Sequence, residues 1–237
     1  MKKTLLSCVL ATAFGLTASA QLYDQTENQG TTAIISAELS DVNSIVQCAD
    51  DFDVPAGSGW IIDTIGVSGF RSAQQGRNMT QVTVEFYLDD AGPTGSPVFS
   101  TVVNLDSGGV QTPVSDTTLY LVIPETFLPE GKYWVSVYGR TEQAERWNWY
   151  TTTGAAIGEE AVLVDYDDVF GVGATTWTTF TALGLDQKNL SFTVHGREST
   201  VGIVEMEEAK ISVYPNPTAD FINVDFADLQ VKQINIY

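Results

Sequence analysis

Between Phe52 and Val194 the apolar residues recur with the two-residue period of a β-strand, and the 3.6-residue period of a helix is almost absent. Side chains alternate across a strand, so an alternating run must lay one face against a core. The clearest run is Val82-Thr83-Val84-Glu85-Phe86-Tyr87-Leu88, which predicts a core on one side only. It ends in Asp89-Asp90-Ala91-Gly92-Pro93, a turn by composition. Pro129-Glu130-Gly131 is read as a second turn, leading into an alternating strand that includes Tyr133 to Tyr138. Further strands are expected over Trp60 to Phe70, Val98 to Leu105, Leu119 to Ile123, Trp147 to Thr151, Ala161 to Val164 and Leu190 to Val194. Short strands separated by turns at this spacing predict an all-β fold, an antiparallel two-sheet β-sandwich. The roughly 145 residues involved suffice to bury one full core.

The same segment resembles the jelly-roll-like β-modules of secreted bacterial proteins. The residues that carry this are Ala49 to Pro55 leading to Gly59-Trp60-Ile61-Ile62, the strand end Tyr87 to Gly92, Leu128 to Trp134, and the closing Leu190-Ser191-Phe192-Thr193-Val194-His195-Gly196. The resemblance implies a fold and brings no catalytic residues with it.

At the N-terminus Lys2 and Lys3 precede an apolar run from Leu5 to Leu16 and then Thr17-Ala18-Ser19-Ala20, the layout of a cleavable signal peptide over 1–20. The run is too short to span a bilayer, and no later run is apolar enough to do so. Residues 21–30 are polar and are expected to be flexible, with order beginning near residue 31 and the sandwich occupying 31–197. Cleavage after Ala20 lowers the basic residues from 11 to 9 against 30 acids, taking the formal charge from −19 to −21. Such a field repels nucleic acid and anionic lipid and favours solubility or cation binding. Only Cys48 survives cleavage, so no internal disulfide is expected, and its acidic neighbours argue for a buried structural cysteine rather than a nucleophile.

His195 is the only histidine, which excludes a three-histidine zinc site and a His-Glu-x-x-His helix. No Gly-x-Ser-x-Gly elbow accompanies it, so His195 is expected to be a strand-end packing or surface residue. No phosphate loop or dinucleotide fingerprint occurs, and no catalytic residue is assigned. Acidic clusters stand at Asp50-Asp51-Phe52-Asp53, Asp89-Asp90 and Asp165-Tyr166-Asp167-Asp168. Calcium is bound by several oxygens, which makes Asp165, Asp167 and Asp168 candidate ligands of a calcium ion; the alternative is turn chemistry and solvation. In Arg146-Trp147-Asn148-Trp149-Tyr150 the two indoles fall on one face of a strand. An indole joins a large flat surface to a polar handle and so stacks on sugars, making Trp147, Trp149 and Tyr150 candidate ligand-binding residues; the alternative is a core strand.

Beyond a linker over 198–209, the prolines of Val213-Tyr214-Pro215-Asn216-Pro217-Thr218 make a corner between two extended segments, the second being Phe221 to Phe226. Tyr214, Pro215, Asn216 and Pro217 with the Phe-Ile-x-Val strand closely resemble the type A C-terminal sorting domain of the type IX secretion system of Bacteroidetes-type bacteria. The resemblance implies the first strands of an Ig-like sorting domain over 210–237, incomplete at Tyr237, and the type IX machinery as partner. It also implies passage through the periplasm to the cell surface or the medium. The combined expectation is a non-catalytic surface or secreted module that binds an extracellular ligand such as a polysaccharide, with no nucleic-acid partner. The alternatives are a structural or adhesive surface protein, or an accessory domain of a calcium-dependent hydrolase.

Overall fold

The computed structural model describes residues 19–72, 79–105, 117–199, 212–214 and 223–225. The chain separates into two units, Met1–Ser199 and Thr200–Tyr237. In the first unit the strands are β1 (Ala20–Asp24), β2 (Gln29–Ile35), β3 (Ala37–Leu39), β4 (Ser44–Arg71), β5 (Gln81–Asp89) and β6 (Pro93–Asn104). They continue as β7 (Thr117–Thr141), β8 (Trp147–Thr152), β9 (Val162–Asp165), β10 (Thr178–Thr179), β11 (Asn189–Leu190) and β12 (Phe192–Ser199), with one 3₁₀ turn at Gln143–Glu145. No α-helix occurs among the described residues, and none is long and apolar enough to cross a membrane.

The spine is an antiparallel ribbon of β4 and β7, in register from Ala49 opposite Ser136 to Gly69 opposite Thr117. Its two halves carry different neighbours. The first half of β4 takes β9 on its free side, while the matching half of β7 takes β5 and then β6. The second half of β4 takes β12 and then β1, and its last residues take β8. Register breaks where the halves meet, between Val54 and Gly59, and the extra residues include Gly57 at φ +77°. Gly57 donates its N–H to Glu130 Oε2 at 2.6 Å, tying the bulge to the opposite strand.

Apolar inner faces of the two halves close on each other. Phe52 stacks on Trp60 across the bulge, with ring centroids 6.0 Å apart, and meets Tyr23 of β1 at 6.2 Å and Phe86 of β5 at 6.0 Å. Val46, Cys48, Ile62, Ile65, Val84, Val135, Phe192 and Val194 fill the same core. The fold is therefore all-β and sandwich-like, as the alternation predicts.

Several expectations are corrected. The sheet is mixed, because β3 pairs parallel with β7. Pro129-Glu130-Gly131 does not reverse the chain, since β7 runs through it opposite the β4 bulge. Residues 20–24 form an ordered edge strand on β12, where a flexible polar segment was expected. Nor does β5 face a core on one side only: Tyr87, on its opposite face, packs with Ala49, Trp134, Val162 and the half-buried Trp177. The turn at Asp89–Gly92 forms as read, with Gly92 donating to Asp89 Oδ1 at 3.2 Å and Ala91 at φ +56°.

In the second unit β13 (Ser212–Tyr214) and β14 (Asn223–Asp225) pair antiparallel, with Tyr214 opposite Asn223 and Val213 opposite Val224. Both strands fall within the extended segments read from the sequence. Pro215, Asn216 and Pro217 lie outside the described residues.

Candidate ligand-binding surfaces

Trp147 and Trp149 share one face of β8, their ring centroids 6.1 Å apart, but that face is the inner one. They are 2% and 0% exposed, and Trp149 Nε1 donates to the Ser191 carbonyl at 2.8 Å. Tyr150 is buried against Phe70, at 5.4 Å between centroids. The exposed indole platform is therefore not formed. β4 and β2 flank β8 in the sheet, and Phe192 covers Trp149 edge-on, so the indoles do the work of core residues.

The acidic run after β9 folds as a capped turn. Both carboxylate oxygens of the fully buried Asp165 accept backbone N–H groups, Oδ1 from Val169 and Oδ2 from Phe170, each at 2.9 Å. Asp168, at φ +51°, accepts the Gly173 N–H at 2.7 Å. Asp167 is exposed. Among the described residues no three His, Cys, Asp or Glu side chains are placed to hold a metal ion. Asp165 and Asp168 thus do turn chemistry, the alternative reading of these residues.

The Asp50-Asp51 pair, expected at a strand end, lies inside β4 and is buried. Burial pushes the Asp50 carboxyl well above its ordinary range, and bonds from the Leu190, Asp51 and Gln25 N–H groups pull against it. Asp51 faces the other way, accepts the Glu159 N–H at 2.9 Å, and lies 3.5 Å from Lys132 Nζ. Burial pushes Asp51 up to about 6 despite those two partners. Cys48 is buried as expected, its thiol donating to the Ile35 carbonyl at 3.2 Å and raised by burial. His195 lies within β12, its Nε2 2.8 Å from Thr193 Oγ1.

Among the described residues, two surfaces offer room for a ligand. The first is the outer face of the second half-sheet, where Tyr120, Gly66, Thr193 and Asp24 stand in register across β7, β4, β12 and β1. Val122, Thr64, His195 and Gln21 form the next row. Tyr120 is 65% exposed, and its ring lies against Gly66, where a Cβ would come within 3.2 Å of Cε1 and would collide with Thr193 Oγ1. The missing side chain lets a flat ring spread over the neighbouring strand. Tyr120 meets His195 edge-on at 5.8 Å, and Ser68 and Thr118 hydroxyls lie 3.0 Å apart in the flanking row. Phe127, also exposed, covers Gly59 farther along the same face.

The second is a cleft of about 310 Å³ between β2, the start of β8 and the 165–185 loops. Ile34, Val46, Leu163, Leu183 and Leu185 form an apolar lining. The polar face of the tryptophan strand reaches it instead of the indoles: Arg146 and Asn148 line the cleft, with Arg146 Cζ 5.6 Å from the centroid of the Phe170 ring. Asn148 is pinned by bonds from Nδ2 to Ser72 Oγ at 2.9 Å and the Arg146 carbonyl at 3.0 Å. The structure thus brings one predicted residue, Asp165, and the neighbours of Trp147 and Trp149 to one cleft, while Trp147, Trp149 and Tyr150 do not line it. Reading the sequence missed Tyr120, Gly66 and Arg146; only the alternation of Tyr120 and Val122 with Leu119, Leu121 and Ile123 signals that the first of them faces outward.

No family model matches the chain, and no curated protein or solved structure does.

Proposed function

We propose that this chain is a non-catalytic β-sandwich binding module, carried by the type IX route to the cell surface or the medium, that binds a glycan across the open face around Tyr120. The observation that carries the ligand class is the seating of Tyr120 against Gly66. A flat, solvent-facing ring with the exposed Thr118 and the half-buried Thr64 and His195 in the neighbouring rows offers the apolar surface and the short donors and acceptors that a sugar ring uses. Its rows run straight across four strands, so the face suits an extended polysaccharide more than a small enclosed sugar.

A glycan array followed by calorimetry on the positive polymer tests this. Tyr120→Ala, alone and with Phe127→Ala, weakens binding about tenfold, a change of about 1.4 kcal/mol, while circular dichroism stays that of the parent. Unchanged affinity in the double variant sinks the glycan face. Retention of no glycan by the parent protein favours the structural or adhesive alternative, and a melting temperature raised by calcium would favour the hydrolase-accessory alternative.

Delivery has its own support in the antiparallel pairing of Ser212–Tyr214 with Asn223–Asp225 on either side of the Pro215-Asn216-Pro217 corner. Deleting 210–237 from the chain as the cell makes it traps the protein in the periplasm. Normal surface display without those residues overturns the sorting role.

A further inference from the structure

We infer that the cleft beside β8 is a second binding site, for an apolar molecule ending in a single anionic group, with a medium-chain carboxylate as its simplest member and Arg146 as the residue that receives the carboxylate. Charge marks this cleft, and it shares no residue with the glycan face: Val46, its one residue from β4, lies in the half of that strand away from Gly66 and Thr64.

The protein carries 30 acidic residues against 11 basic ones, so a cation can find a carboxylate almost anywhere. Among the described residues, Arg71 pairs with Glu145, Lys132 with Asp51 and Glu159, Arg140 with Glu38, Lys188 with Glu160 and Arg197 with Glu125. Arg146 alone of the described lysines and arginines has no carboxylate within ion-pair distance. It is half-buried, and its one hydrogen bond runs from Nη1 to the Gln143 carbonyl at 3.2 Å. A guanidinium has five N–H donors in a rigid fork that fits the two oxygens of a carboxylate. The Phe170 ring holds the guanidinium at the cleft while leaving most of those donors uncommitted.

The acid nearest in the lining does not fill this role. Asp165 has both oxygens occupied by the Val169 and Phe170 amides and lies outside ion-pair distance of Arg146. Apart from Asn148, Asp165 and the Phe170 ring, the rest of the lining is aliphatic, and at about 310 Å³ the cleft stands at the lower end of the ~300–1,000 Å³ range of small-ligand sites. A mostly aliphatic lining with a single unpaired guanidinium selects an apolar body and a head with one negative charge. A glycan fits neither half of that description.

Titration calorimetry of the full chain with decanoate and, separately, 1-decanol at neutral pH tests the inference. Both ligands saturate one site, decanoate about tenfold more tightly. Arg146→Gln abolishes that preference by weakening decanoate alone, Arg146→Lys restores part of it, and Ala33→Trp, which fills the cleft from its half-buried wall, weakens both ligands at least tenfold. Tyr120→Ala leaves both affinities unchanged, so failure here and failure of the glycan face are read separately. Equal affinities for the acid and the alcohol in the parent, a preference that survives Arg146→Gln, indifference to Ala33→Trp, or no saturable binding at millimolar ligand each overturns the assignment. Melting curves on every variant establish that it is folded.

Discussion

Asp50, on the inner face of β4, accepts the backbone N–H of Leu190 at 2.6 Å across 140 positions of sequence. The same oxygen accepts Gln25 Nε2 at 2.6 Å, and the other accepts the Asp51 N–H at 3.0 Å, so one buried carboxylate ties β4 to β11 and to the segment after β1. Three donors and a dry site require an acceptor on both oxygens. Asp50→Asn keeps the shape but turns an amide N–H₂ toward one of those donors, leaving a buried N–H without an acceptor. The expected cost is about 1–3 kcal/mol in urea unfolding. An unchanged midpoint and slope would mean that water reaches these groups.

Asp51, pushed up to about 6 by burial, makes stability depend on pH in a direction opposite to the usual carboxylate. An unfolded aspartate titrates near ~3.9, so between about pH 4 and 6 the folded chain holds more proton at this site than the unfolded one. Its contribution is fully present below that window and is lost as pH rises through about 6. Asp24, lowered mainly by its bonds from Thr26, and Glu160, lowered by Thr181 and Lys188 against its own burial, act in the other direction. The useful quantity is therefore a difference. From pH 4 to pH 7 the melting temperature of Asp51→Asn rises relative to that of the parent, and parallel curves would refute the assignment.

The strands with strong alternation, β5, the later half of β7 and β12, were legible because their pattern is local. What decided the architecture was not. Pro55-Ala56-Gly57-Ser58 and Pro129-Glu130-Gly131 have the composition of turns, yet both lie within long strands, because each is the partner of the other across the β4–β7 ribbon. Composition cannot separate a hairpin from a bulge whose partner lies some seventy positions away. The polar Gln21 and Asp24 hid β1, an edge strand whose stability comes from β12. For the sites, the common face of Trp147 and Trp149 was legible, but which side of β8 the core occupies was not. The isolation of Arg146 is a fact about where carboxylates do not lie, which no local pattern records.

Gly196 sits where the register of β12 shifts against β4, and a Cβ there would collide with the carbonyl oxygen of Ile61. The clash is with backbone, which cannot rotate away as a side chain does. Gly196→Ala is expected to destabilise by roughly 1–3 kcal/mol, the usual range for overpacking. Amide exchange then rises across the paired residues from Ile61 to Thr64 before it rises in β5. Uniform change across both half-sheets would place the strain elsewhere.

Trp149 and Tyr120 are both aromatic residues on strands, and the fold gives them opposite consequences. Trp149 is enclosed by Trp147 and Phe192 and anchored through Nε1 to Ser191, so Trp149→Ala leaves a large cavity and an unpaired carbonyl. About 3–5 kcal/mol of stability should be lost, and any loss of ligand binding should follow the unfolded fraction. Tyr120 projects from the outer face, so Tyr120→Ala should change stability by no more than about 0.5 kcal/mol while glycan affinity falls. Measuring both properties on both variants separates core from surface. Glycan binding lost in fully folded Trp149→Ala, with Tyr120→Ala behaving as the parent, would return the ligand to the tryptophan strand.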